Sequence, residues 1–122
     1  MTFTRGAAWI VARMSGELDL SSAAGFRERV DLELRRAGVP NLILSLRGLE
    51  FVDSTGLGSL LGRHRQVTSS GGRLILTDIP PKVMSMIEMA GLASVLSIAR
   101  TQEEALRLLE SNQHGLPGGA SQ

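Results

Sequence analysis

The sequence contains no cysteine, which excludes disulfides, thiolate metal sites and cysteine nucleophiles. Aromatic residues are scarce, with three Phe, one Trp and no Tyr, so few rings are present on which single-stranded bases could stack. The 13 Lys and Arg residues are balanced by 12 Asp and Glu residues spread along the chain, and no basic stripe offers itself to a phosphate backbone. We therefore expect no direct binding of nucleic acid.

Long hydrophobic runs and metal-ligand patterns are also absent. No stretch approaches the roughly 20 apolar residues that span a bilayer, so no membrane span is expected. His64 and His114 are far apart, no H-E-x-x-H is present, and the carboxylates do not follow calcium-loop spacing, so we expect no metal. Arg13 interrupts the first apolar run and no A-x-A-like cleavage site follows it, which favours an N-terminal strand and a cytoplasmic protein.

The pattern that is present is an alternation of short apolar runs with amphipathic segments. At 122 residues and 43% hydrophobic, the chain is long enough for one domain with one core, predicted as residues 1–111, followed by a flexible tail at 112–122. Alternating strands and helices predict an α/β fold with a mostly parallel sheet. Strands are predicted at 8–15, 41–46, 73–77 and 95–98, and helices at 21–37, after Asp53, after Pro80 and after Thr101.

The most informative segment is Asp53-Ser54-Thr55-Gly56-Leu57-Gly58, which lies between an apolar run and a helix. The first amides of a helix have no partner within it, so Asp53 or Ser54 can cap them and an anion would be stabilised there. Gly56 and Gly58 expose backbone in the first turns to any molecule that docks. Capping and close packing alone would be the simplest interpretation.

Three other functions, nucleotide hydrolysis, dinucleotide binding and hydrolysis at a serine, can be tested against this segment. Nucleotide hydrolysis is not supported, because G-x-x-x-x-G-K-[ST] is missing and Lys82 is the only lysine. Gly56-Leu57-Gly58 is similar to the start of a dinucleotide-binding G-x-G-x-x-G, with Asp78 after the next strand as the ribose ligand, but the third glycine, Gly62, comes one position late. Hydrolysis with Ser54 as nucleophile needs a base, and His64 falls on an apolar stripe about three turns further along the helix. No catalytic constellation and no cofactor site result, so we expect no enzyme.

Arg63 and Arg65 are interpreted as a solvated helix face, with contact to an acidic partner as the alternative.

Several separated motifs resemble one family. Gly16-Glu17-Leu18-Asp19 followed by Phe51-Val52 and the segment 53–58 resembles the STAS domain of anti-sigma factor antagonists. Leu61-Gly62-Arg63, Gly71-Gly72 and Ala90-Gly91-Leu92 are similar to the family's pattern in the family's order, so the resemblance covers about residues 8–109. It implies a STAS-like mixed sheet of four or five strands with about four helices.

The resemblance also implies a partner switch. The unphosphorylated antagonist binds an anti-sigma factor that is also a serine kinase and so releases the sigma factor, and phosphorylation ends the binding. Ser54 matches the phosphorylated serine, and a serine phosphatase is a second candidate partner. The predicted partner-binding residues are Asp19, Ser21, Asp53, Ser54, Thr55, Gly56, Leu57 and Gly58. STAS domains also occur as subunits of stress-sensing and transporter complexes, and this alternative stays open.

Overall fold

The computed structural model describes residues 1–114 as a five-stranded mixed sheet with four helices, as predicted. The strands are β1 (Thr2–Arg5), β2 (Trp9–Leu18), β3 (Asn41–Val52), β4 (Leu74–Thr77) and β5 (Ser97–Ile98). The helices are α1 (Ala23–Ala37), α2 (Ser54–Ser69), α3 (Pro81–Met89) and α4 (Gln102–His114). Within residues 1–114, none of these helices combines the length and the apolar character that crossing a membrane requires.

The strands lie in the sheet in their chain order, from β1 to β5. β1 is antiparallel to β2, whereas β2, β3, β4 and β5 pair in parallel. Each parallel connection advances in the same direction, and because such crossovers are right-handed, α1, α2 and α3 lie on one face of the sheet. α4 follows the last strand and covers the opposite face.

The centre of β3 is buried on both sides, as the apolar run at 41–46 predicts. Leu42, Leu44 and Leu46 belong to the larger core beneath α1, α2 and α3, while Ile43 contributes to the smaller core beneath α4. β3 is therefore the central strand of the sheet, and α2 begins two residues after β3 ends.

Two strands, β2 and β3, extend beyond their predicted ends. β3 continues past Leu46 to Val52, because β2 runs beside it to Leu18 and the two remain paired through two register shifts. Gly16 does not close β2 as predicted; it lies within β2 with φ of +82° at one of these shifts. A glycine with positive φ inside a strand is typical of a bulge, which a prediction from composition interprets as a turn.

α4 begins with a modified form of a capping box, directly after Thr101 as predicted. Thr101 Oγ1 accepts from the backbone N–H of Glu104 at 3.1 Å, but Glu104 Oε1 accepts from the N–H of Arg100, at 2.8 Å, rather than from that of Thr101. The predicted boundary at residue 111 and the predicted flexible tail stay predictions, since residues 115–122 lie outside the described part of the chain.

Candidate functional site

The start of α2 is fixed by the carboxylate of Asp53, which makes two hydrogen bonds in different directions. Its Oδ1 accepts from the N–H of Gly56 at 2.8 Å, and its Oδ2 accepts from the N–H of Leu20 at 3.1 Å, in the loop between β2 and α1. Of the two predicted caps, Asp53 is therefore the one that satisfies a helix amide. The same side chain joins the start of α2 to the β2–α1 loop.

Gly56 is required by the close approach of α2 to the end of β2. A Cβ at this position would lie 2.0 Å from the carbonyl oxygen of Leu18 and 2.7 Å from Cγ2 of Val52. No other residue type fits without displacing backbone. Because the absence of a side chain at Gly56 serves the protein's own packing, the similarity of Gly56-Leu57-Gly58 to a dinucleotide-binding motif loses its main support.

Ser54, Thr55 and Gly58 lie on the outer side of the same turns and are exposed. The backbone N–H groups of Ser54 and Thr55 have no acceptor within residues 1–114, as expected for the first amides of a helix. A Cβ added at Gly58 would meet nothing within 4 Å. By contrast Gly56 and Leu57 are buried, so the structure divides the predicted segment into an inner and an outer side.

The β2–α1 loop is organised by Asp19. Its Oδ1 accepts from the hydroxyl of Ser21 at 2.8 Å, and from the N–H groups of Ser21 and Ser22 at 3.1 Å each. These bonds, chiefly that from the Ser21 hydroxyl, lower the pKa of Asp19 below its ordinary value. Asp19 is thus the acceptor at the approach to α1, whereas Ser21, the other predicted candidate, acts as a donor. Both stand next to Leu20, which Asp53 holds.

Leu20 is a candidate partner-binding residue that sequence analysis missed. Its side chain is 77% exposed, although its backbone is held by Asp53. The available signal was a single leucine within the polar turn from Asp19 to Ser22. A large apolar side chain on a fixed backbone beside an exposed serine is well placed to anchor a protein contact.

The buried position of Arg63 contradicts the prediction that this residue lies on a solvated helix face. Arg63 is only 9% exposed, and its NH1 donates to Oδ1 of Asp31 on α1 at 2.5 Å. The reason is that α1 packs against α2 on this side, which the charge pattern of a single helix cannot reveal. Arg65 is exposed, in agreement with the prediction.

The structure does not assemble a hydrolytic site around Ser54. His64 lies about 15 Å further along the axis of α2, beyond hydrogen-bond reach of the Ser54 hydroxyl. Its Nδ1 is buried and has no partner within residues 1–114. In this part of the chain no three His, Asp or Glu side chains come together in a way that could hold a metal ion.

Asp78, the predicted ribose ligand, has a structural role instead. Burial acts to raise its pKa, but the hydrogen bond and the positive charge of Arg47 act in the opposite direction, and the net pKa is lowered. Arg47 NH2 lies 3.1 Å from Asp78 Oδ1. In addition, the described strand order has no reversal, and such a reversal creates the crevice in which dinucleotide folds bind their ligand.

Comparison with known proteins gives a consistent result. The sequence profile of the STAS domain family matches residues 1–105. An anti-sigma F factor antagonist from Paenibacillus polymyxa is 35% identical over 101 residues, which span 83% of this chain and 86% of that protein.

Two solved structures of the anti-sigma factor antagonist SpoIIAA match with a TM-score of 0.67. The unphosphorylated form is 26% identical, over 89% of this chain and 98% of that chain. The phosphorylated form, from Bacillus, is 28% identical, over 88% of this chain and 97% of that chain. SpoIIAA is thus a similar protein that exists in both states.

Proposed function

The chain belongs to the STAS domain family, and from this premise we propose that it is an anti-sigma factor antagonist that phosphorylation of Ser54 switches off. The observation that carries the proposal is the position of Ser54, exposed at the first residue of a helix whose start is fixed to the neighbouring loop. The names of its relatives and the two phosphorylation states of SpoIIAA support it.

In the unphosphorylated state, Ser54 and Gly58 form a surface with little side-chain volume and no charge of its own. Leu20 stands beside it and supplies an apolar side chain. A partner can therefore approach the backbone of α2 closely while it buries Leu20. This combination of a central apolar residue with small neighbours is suited to a tight protein contact.

Phosphorylation changes this surface without threatening the fold. A phosphoserine carries about −1.5 to −2 charges, and the N–H groups of Ser54 and Thr55, which have no acceptor within residues 1–114, would stabilise it at the positive end of α2. The partner, in contrast, would have to desolvate this charge beside the carboxylates of Asp53 and Asp19. A penalty of about 3 kcal/mol would lower the affinity by roughly a hundredfold.

The partner in this proposal is an anti-sigma factor that is itself the serine kinase, and a serine phosphatase would restore the binding form. The antagonist does no chemistry of its own; it is the substrate of the kinase. Release of a sigma factor to direct transcription takes place in the cytoplasm, where we place this protein.

The test is intact-mass spectrometry after incubation with the kinase and ATP, followed by an affinity measurement on each form. We expect one added phosphate in the wild type and in Thr55→Ala, the matched control, and none in Ser54→Ala. The phosphorylated form should bind the kinase at least tenfold more weakly. A phosphate that still appears in Ser54→Ala would contradict the site, and an unchanged affinity would contradict the switch and favour a constitutive subunit of a larger complex.

A further inference from the structure

A groove runs between α1 and α2 and begins beside the phosphorylation site. We call it the α1–α2 groove; its volume is about 410 Å³. Its walls are formed largely by small residues, Ala23 and Ala24 on α1 and Gly58 and Gly62 on α2. Thr55 lies at the end next to Ser54, so the groove extends the surface of the phosphorylation site by about two helical turns.

Close packing within residues 1–114 does not require a glycine at position 58 or 62. A Cβ added at Gly58 or at Gly62 would meet nothing within 4 Å, in contrast to Gly56. Apart from proline, glycine is the least favourable residue in a helix interior. Two glycines four positions apart lie on one side of a helix and leave its backbone open along a line, which permits close approach by another molecule.

Two cationic side chains line the groove, and one of them, Arg63, is ion-paired with Asp31. The lining contains the guanidinium groups of Arg27 and Arg63 and no carboxylate. Arg63 is more than nine-tenths buried, and within residues 1–114 its NH1 bonds to Asp31 while its buried Nε has no acceptor. A buried donor without an acceptor is unfavourable, so this side chain is prepared to pair with an acceptor that comes from outside.

We propose that the α1–α2 groove receives an α-helix of the anti-sigma factor, which approaches α2 at Gly58 and Gly62 and pairs a carboxylate with Arg27 and Arg63. A helix matches a groove of this shape, because ridges of side chains pack into the space between two helices. The carboxylate matches the guanidinium group of Arg27 in the lining and the buried Nε of Arg63, which has no acceptor within residues 1–114. This inference rests on the proposed function and extends the interface beyond Ser54.

The first test fills the groove. Gly62→Leu should place a side chain in its open space, and the affinity for the anti-sigma factor should fall at least tenfold. The matched control is Gly25→Leu in α1, another helical glycine whose added Cβ would meet nothing within 4 Å, and which lies outside the groove. Gly25→Leu should bind within twofold of wild type, and urea unfolding should show that both variants are folded. The probes are the anti-sigma factors of the source organism, each purified and immobilised singly.

The second test addresses charge and contact. Arg27→Glu should also lower the affinity at least tenfold and weaken its dependence on salt. Because the chain has no cysteine, Ser59→Cys in the groove and Gly25→Cys outside it are single labelling sites. Binding of the anti-sigma factor should protect the first from maleimide and leave the second reactive.

The outcomes separate this inference from the proposed function. If Gly62→Leu and Arg27→Glu bind like wild type while phosphorylation of Ser54 still ends binding, the groove proposal is wrong and the switch stands. If only Arg27→Glu is without effect, the proposal that the bound helix pairs a carboxylate with the groove is wrong. If the wild type binds none of the anti-sigma factors, the proposed function itself fails.

Discussion

The inner and outer sides of the first turns of α2 differ in what their residues contact, although they alternate along one short segment. On the inner side, Asp53 bonds to two backbone amides and Gly56 lies against the carbonyl of Leu18. On the outer side, Ser54 is exposed and Gly58 has open space around it. Two glycines two positions apart therefore have unrelated causes, one in the fold and one in the surface.

This difference separates stability from recognition. A substitution on the inner side should change the free energy of unfolding, and one on the outer side should change affinity with little effect on the fold. Substitutions on the two sides test that separation.

The largest effect is expected for Gly56→Ala. The added methyl group would overlap the carbonyl oxygen of Leu18, and the strain should reduce the free energy of unfolding by about 3 kcal/mol or more. Gly58→Ala is the control, since it should raise stability by up to about 1 kcal/mol through helix propensity. Urea unfolding of both variants measures the difference in stability. Equal urea midpoints would show that Gly56 and Gly58 do not differ in their importance for the fold.

The next largest effect is expected for Asp31→Asn, which should weaken the ion pair between Asp31 on α1 and Arg63 on α2. Arg63 would keep its charge in a buried position and lose its charged acceptor, so we expect a loss of about 2 kcal/mol. Glu28→Gln, an exposed change on the same helix, should leave the urea midpoint within error. If both variants unfold alike, the pair makes no net contribution.

A smaller loss is expected for Asp53→Ala, which removes the acceptor of two amides. Loss of the helix cap should cost about 1–2 kcal/mol. The same variant should release the Leu20 amide, which hydrogen exchange measures directly. Unchanged exchange at Leu20 would show that the loop is held by other contacts.

The smallest effect concerns the neighbouring loop. Ser21→Ala should raise the pKa of Asp19 toward its ordinary value, because the largest contribution to the shift is the Ser21 hydroxyl bond. The pKa of Asp19 is lower in the folded protein than in the unfolded chain. The Asp19 carboxylate therefore stabilises the fold at pH values above its ordinary pKa, and this stabilisation is lost as the pH falls through the pKa of the folded state. NMR titration of the Asp19 side chain measures the shift, with Ser22→Ala, whose hydroxyl bond is longer at 3.2 Å, as the weaker comparison.

Much of the fold could be predicted because its signals are local. The apolar run at 41–46, with Pro40 before it and Gly48 after it, identifies the buried strand without reference to any other part of the chain. The extension of β3 to Val52 could not be predicted in this way, because the strand exists there through pairing with β2 across two register shifts.

The site divides in the same manner. Asp53 and Ser54 are indicated by residue type at a helix start, so the cap and the exposed hydroxyl could be expected from sequence. Arg63 and Leu20 depend on contacts between distant segments, with Asp31 and with Asp53 respectively. Nothing in the residues beside Arg63 distinguishes it from the exposed Arg65.

The strand order has one further consequence, for how this molecule can meet others. The sheet has two outer strands, β1 with four residues and β5 with two. Edge strands as short as β1 and β5 offer little backbone to an incoming chain. They therefore resist strand addition, both in aggregation and in complexes that extend the sheet. We expect association through side chains on the helices instead. Contacts of that kind can be broken by a single added charge, whereas a continuous ladder of backbone hydrogen bonds cannot.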